Sequence, residues 1–155
     1  MHLSEIIASK AVFEDLKAGS KKQLLQELAN LSAKQTGLDA RRVFETLLQR
    51  EKLGTTGLGN GMAIPHGKFA GLDRVYGFFA RLTNPVDFEA NDDQPVDLVF
   101  LLLAPESAGA DHLKALARIS RLLRDTSLVA KLRGTETADG LYAILTEPVS
   151  ASHAA

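Results

Sequence analysis

The eight residues Val96-Asp97-Leu98-Val99-Phe100-Leu101-Leu102-Leu103 (VDLVFLLL) form an almost unbroken apolar run of strand length. Such a run fits a central β-strand covered on both faces, although by periodicity alone a buried helical segment has the same pattern. Working outward, Val75–Leu82 (VYGFFARL) is rich in β-formers and predicts a second strand. Asn84-Pro85 is expected to turn the chain into Val86–Phe88, and Asn91-Asp92-Asp93 to turn it again. So short a turn after Leu82 implies an antiparallel pair, and hence a mixed sheet.

Helical patterns lie on either side of these strands. Ser20 is a good N-cap, followed by Leu24, Leu25, Leu28 and Leu31 on one helix face, with Gly37 suited to the end. Asp39 can cap a second helix with Val43, Leu47 and Leu48 facing inward and Gly54 at its close. Beyond the apolar run, 111–124 predicts a helix with Leu113, Leu116, Ile119 or Ser120, and Leu123 on its stripe, leaving Arg118, Arg121 and Arg124 as a solvated face. Thr126 is expected to cap a further helix ending at Gly134. A last helix covers 136–145 and is stopped by Pro148. Residues 3–8 read as a helical turn and Ala11–Phe13 as a short strand. The order helices, strands, helices is that of one α/β domain with helices on both faces of a sheet. The expected domain spans residues 1–150, with 151–155 a flexible tail.

Composition narrows the function. The 155 residues are 45% hydrophobic and 24% charged, with a net charge of −1, which argues against a general electrostatic grip on nucleic acid. With no cysteine, disulfides, thiolate metal sites and cysteine nucleophiles are excluded. No apolar run approaches the roughly 20 residues that span a bilayer, and residues 1–30 lack a basic start followed by an apolar segment. No membrane insertion and a cytoplasmic location are therefore expected.

The chemistry concentrates in Arg50–Lys68, REKLGTTGLGNGMAIPHGK, which holds five of the twelve glycines. The run is not a dinucleotide fingerprint: Gly57-x-Gly59 is followed at the third place by Met62, and Gly59-x-Gly61 by Ile64. Nor is it a Walker loop, since Gly67-Lys68 precedes Phe69. The four histidines, His2, His66, His112 and His153, include no pair at the i, i+4 spacing of a zinc helix, and G-x-S-x-G is absent. No cofactor and no metal are expected.

His66 is left as the chemical centre. A histidine after proline in a turn often does no more than bond a neighbouring carbonyl. Here, however, glycines strip steric cover from the ring, Pro65 fixes the approach, and a neutral imidazole is a competent nucleophile near neutral pH. Arg50 opens the same stretch; its place in the last turn of a helix is explained equally by the helix dipole. An attached phosphate needs donors, which an arginine fork and glycine-rich backbone N–H groups supply. His112 stands at the start of the helix after the apolar run, near an N-terminus that favours anions.

The Arg50–Lys68 stretch resembles the signature of the fructose/mannitol-type enzyme IIA domain of the bacterial phosphotransferase system, and within it the nitrogen-regulatory branch. PVDLVFLLLAP followed by DHLKALARISRLLRD resembles the family's second block, and the likeness covers about residues 3–148. The resemblance implies a three-layer α/β sandwich with a mixed sheet between helix layers. It implies that His66 accepts a phosphoryl group on Nε2 from a histidine phosphocarrier protein, that Arg50 holds the phosphate, and that His112 orients the site. It further implies regulatory target proteins, such as potassium-uptake or sensor proteins, that respond to the phosphorylation state. A sugar-specific IIA serving a separate IIB protein, or a binding module that needs no phosphorylation, are the alternatives.

Overall fold

The computed structural model describes residues 2–147. The apolar run becomes β6 (Val96–Pro105), in which every residue but Asp97 is buried. Around it stand β1 (Ile7–Leu16), α1 (Lys21–Thr36), α2 (Ala40–Lys52), β2 (Gly57–Gly59), β3 (Met62–Ala63), β4 (His66–Phe69), β5 (Tyr76–Val86), α3 (Ala110–Leu122), α4 (Thr126–Gly134) and α5 (Ala138–Thr146). The six strands form one mixed sheet in the order β1-β5-β6-β3-β2, with β4 also beside β6. β6 runs antiparallel to β5 and parallel to β3 and β4, while β1 is parallel to β5. α1 and α2 pack on each other and reach β5 and β4; α3 lies on β6, and α5 on β1 and α4. This is the expected α/β class, a mixed sheet between helix layers. Among the described residues no helix is long and apolar enough to cross a membrane.

The caps follow local chemistry. Ser20 Oγ accepts from the Gln23 N–H at 3.1 Å, and Gly37 closes α1 in the left-handed region at φ 78°. Asp39 accepts from the Arg42 N–H at 3.1 Å, and the Gly54 N–H returns to the Glu51 carbonyl at 3.1 Å. In the core, the rings of Phe79 and Phe100 meet at 4.9 Å across β5 and β6. Arg81 ties β5 to its neighbours by donating to the carbonyls of Glu14, Leu132 and Thr135.

Several expectations are corrected. Asn84-Pro85 is not a turn: both residues remain within β5. The ladder to β6 shifts register between Arg81 and Val86, so the donor that proline lacks is not required there. The reversal falls instead at Asn91-Asp92, with the Asp93 N–H donating to the Ala90 carbonyl at 3.0 Å. The N-terminal helical turn is confined to Leu3–Glu5, because Ile7 already pairs with Gly77 and the strand runs on past Phe13 to Leu16. On α3 the inward stripe is His112, Ala115, Ile119 and Leu122, and Leu113 is 66% exposed. Asp125 rather than Thr126 caps α4, and Thr137 caps α5 two residues later than the expected start. Pro148 and the tail lie outside the described residues.

Candidate functional site

Met62–Phe69 is a single extended line of chain broken only by proline. Met62 faces Leu98 and Phe69 faces Pro105, the same offset of 36 positions at both ends. Ile64-Pro65 separates β3 from β4 without changing the register. Pro65 has no N–H to give, but its carbonyl accepts from Leu102 N–H at 3.1 Å, and the Ile64 N–H turns the other way to the Thr56 carbonyl at 3.1 Å. His66 follows at once, half-buried, on a strand fixed by buried β6. Gly67 lets α2 close in: a Cβ there would stand 3.1 Å from Thr46 Cγ2 and 3.2 Å from Phe69 Cε2.

The His66 ring is tethered. Its Nδ1 lies 2.9 Å from the Ile64 carbonyl oxygen. A carbonyl has no proton to offer, so this bond requires a proton on Nδ1, and in the neutral ring the lone pair then resides on Nε2. The modest role foreseen for a histidine after proline, bonding a nearby carbonyl, is thus present, and it is the contact that selects the nucleophilic nitrogen.

His112 is brought beside it from the first turn of α3, the ring centroids 5.4 Å apart and the planes tilted by 49°. His112 is 6% exposed, and among the described residues its Nδ1 is buried without a hydrogen-bond partner. Arg50, in the last turn of α2, donates through Nη1 to the Gly54 carbonyl at 2.9 Å, and its charge is felt at His66. Burial, more than any other influence, holds the His66 ring below the usual histidine range. The Ile64 carbonyl opposes this by favouring the protonated ring, Arg50 adds to the lowering, and Glu51 opposes it. His112 is lowered by burial first, then by His66 and Lys68. Both rings are therefore held neutral, and a neutral ring keeps its lone pair.

Sequence reasoning passes over Glu51 and Thr56. Glu51 Oε1 accepts from the Thr56 N–H at 3.0 Å and Oε2 from the Thr56 hydroxyl at 2.5 Å. Lys21 Nζ sits 3.1 Å from the same carboxylate. The available signal was a carboxylate in the last turn of α2, where the helix dipole disfavours negative charge.

The model of the family described as phosphoenolpyruvate-dependent sugar phosphotransferase system, EIIA 2, matches residues 5–147. A nitrogen regulatory protein of Bradyrhizobium diazoefficiens is 59% identical over 148 residues, covering 96% of this chain and 97% of its own. The crystal structure of nitrogen regulatory protein IIA-Ntr from Neisseria meningitidis is similar at a TM-score of 0.88 and 41% identity, covering 93% of this chain and 99% of that one. IIA mannitol from Escherichia coli shares the fold at a TM-score of 0.75 and 23% identity, over 89% and 97% of the two chains.

Proposed function

The chain belongs to the EIIA 2 family of the phosphoenolpyruvate-dependent sugar phosphotransferase system, and on that premise we propose that it is a regulatory phosphoryl acceptor working through His66. Nε2 attacks the phosphorus of a phosphohistidine on a small histidine phosphocarrier protein. A new N–P bond forms as the donor's N–P bond breaks, and that electron pair returns to the donor imidazole. Positive charge developing on the His66 ring is faced by the Ile64 carbonyl through Nδ1–H. Arg50 spends one Nη1–H on Gly54, which leaves the rest of its fork for phosphate oxygens. His112 lines the same pocket and helps orient it. Such a transfer asks for positioning and charge stabilisation rather than further covalent chemistry. Phosphorylation places a group of charge about −2 on Nε2 of a ring that keeps its Nδ1 proton, a local change large enough to switch a protein–protein contact. The readers of that switch are regulatory targets in the cytoplasm, such as potassium-uptake or sensor proteins. The regulatory assignment draws its support from the likeness to the nitrogen regulatory proteins.

The Nδ1 contact with Ile64 is the observation that carries this reading, because it leaves Nε2 as the free nucleophile. The test is intact mass after incubation with a phosphorylated phosphocarrier. The expected result is one acid-labile phosphate on the wild type and none on His66→Ala; phosphate on the alanine variant would refute the site.

A further inference from the structure

Four bonded groups run in sequence from Glu51 to the reactive ring. The carboxylate grips Thr56 twice, at its N–H (3.0 Å) and its hydroxyl (2.5 Å). The Thr56 carbonyl takes the Ile64 N–H at 3.1 Å, and the Ile64 carbonyl takes His66 Nδ1–H at 2.9 Å. We propose that Glu51 is a positioning residue for His66, acting through Thr56 and Ile64 to hold the imidazole as the Nδ1–H tautomer with Nε2 directed at the incoming phosphoryl group. This rests on the reading of His66 as the acceptor.

The residue types are specific to the task. Thr56 presents two donors, and a carboxylate of glutamate length presents two acceptors to meet them. A glutamine can meet the Thr56 hydroxyl only by donating its amide N–H to it while its one oxygen takes the Thr56 N–H, which gives up both charge-assisted bonds and the pairing with Lys21. Glu51 is nonetheless expensive to keep. Its side chain is 3% exposed, and it stands at the negative end of α2, with Lys21 at 3.1 Å as compensation. Lys21 is itself held over the Phe88 ring at 4.5 Å. The carboxylate thereby links the start of α1, the end of α2 and the loop ahead of β2, and these meet at the segment that carries the histidine. The charges acting at the two rings are Arg50 and Glu51 from α2 and Lys68 from β4, with His112 from α3 acting as the partner ring. Arg50 and Glu51 are adjacent in sequence and push His66 in opposite directions. Replacing Glu51 by a neutral group therefore leaves Arg50 unopposed.

The experiment reads the histidine ring directly. Nitrogen-15 NMR of the unphosphorylated protein reports the His66 tautomer and its titration midpoint, and phosphate uptake from a phosphorylated phosphocarrier is timed in parallel. Wild type, Glu51→Gln, Thr56→Val and Thr56→Ser are compared. Wild-type His66 is expected as a single Nδ1–H tautomer. In Glu51→Gln both tautomers appear, the midpoint moves down, and uptake slows about tenfold, short of the ~100-fold that a 1 Å misplacement can cost. Thr56→Val moves the tautomer ratio the same way, and Thr56→Ser, which keeps both donors, restores it. A folded Glu51→Gln protein with the wild-type tautomer and midpoint overturns the proposal. Should that variant not fold, a wild-type tautomer ratio in Thr56→Val overturns it instead. Wild type that takes no phosphate, with the tautomer still responding to Glu51→Gln, sinks the acceptor reading and supports the positioning role.

Discussion

The two sides of β6 are built differently. On one side β5 runs eleven residues antiparallel, most of them buried, with Phe79 and Phe100 in contact across the pair. On the other, β3 and β4 hold the same register past a proline with only six assigned strand residues between them, and the second piece begins on a half-buried histidine. Both sides bury apolar residues, Met62, Ala63, Ile64 and Phe69 on the second as Phe78, Phe79 and Ala80 on the first, but only the second interrupts that burial with a reactive ring. The reactive ring gains its address from a strand pinned on both flanks, by Ile64 before it and Phe69 after it, against a β6 that the other side also anchors.

That division can be broken from either end. The largest effect is on chemistry: His66→Ala should abolish phosphate uptake by intact mass while shifting stability by only about 1 kcal/mol, the worth of one hydrogen bond. Phe100→Ala is its mirror image. Truncating a fully buried ring against Phe79 should cost about 3–5 kcal/mol in urea unfolding. Any molecules that remain folded should still accept phosphate at His66.

Arg50 tests the site side more finely. Arg50→Lys keeps the charge but loses the planar fork, and uptake should fall by up to about 100-fold, the cost of removing one transition-state donor, with little change in melting temperature.

A pH series sharpens the comparison further. Burial lowers both His66 and His112 below their ordinary value of 6.5, so each binds fewer protons folded than unfolded in the window beneath it. Stability is therefore full above about pH 6.5 and is lost as pH falls through the lowered folded values. Uptake should follow the same direction, rising with pH to a midpoint below 6.5, with the donor's own titration measured separately. Phe100→Ala should leave that midpoint unchanged.

The smallest effect belongs to the hairpin tip. Arg133 pairs with Asp97 at 2.9 Å and donates to the Asn60 carbonyl, so α4 braces the β2–β3 turn. The pair is partly exposed, and Asp97→Asn should cost under about 1 kcal/mol by thermal melting.

Much of the stable side was legible in the sequence. The apolar run at Val96–Leu103 identified the central strand, and Ser20, Gly37 and Asp39 mark real helix boundaries because caps are local chemistry. What was not legible depends on partners distant in sequence. β1 carries lysine, glutamate and aspartate in a pattern without clean alternation, and it is a strand because β5 is there to pair with. Leu113 fits the spacing of an apolar stripe, whereas the inner positions of that turn are taken by His112 and Ala115. At the site, His66, Arg50 and His112 could be nominated by type and motif. The Ile64 contact that selects a nitrogen, and the Glu51–Thr56 grip behind it, depend on distances that no residue type encodes.

The parallel pairings carry a consequence in time. Ile7 pairs with Gly77, 70 positions later, and His66 with Leu102, 36 positions later. Contacts that close such long loops pay their entropy before any bond rewards them, which makes folding slower than that of a helical bundle of similar size. During synthesis, the histidine leaves the ribosome well before the strand that must hold it. The newly made chain thus carries a reactive residue with no defined direction until β6 arrives.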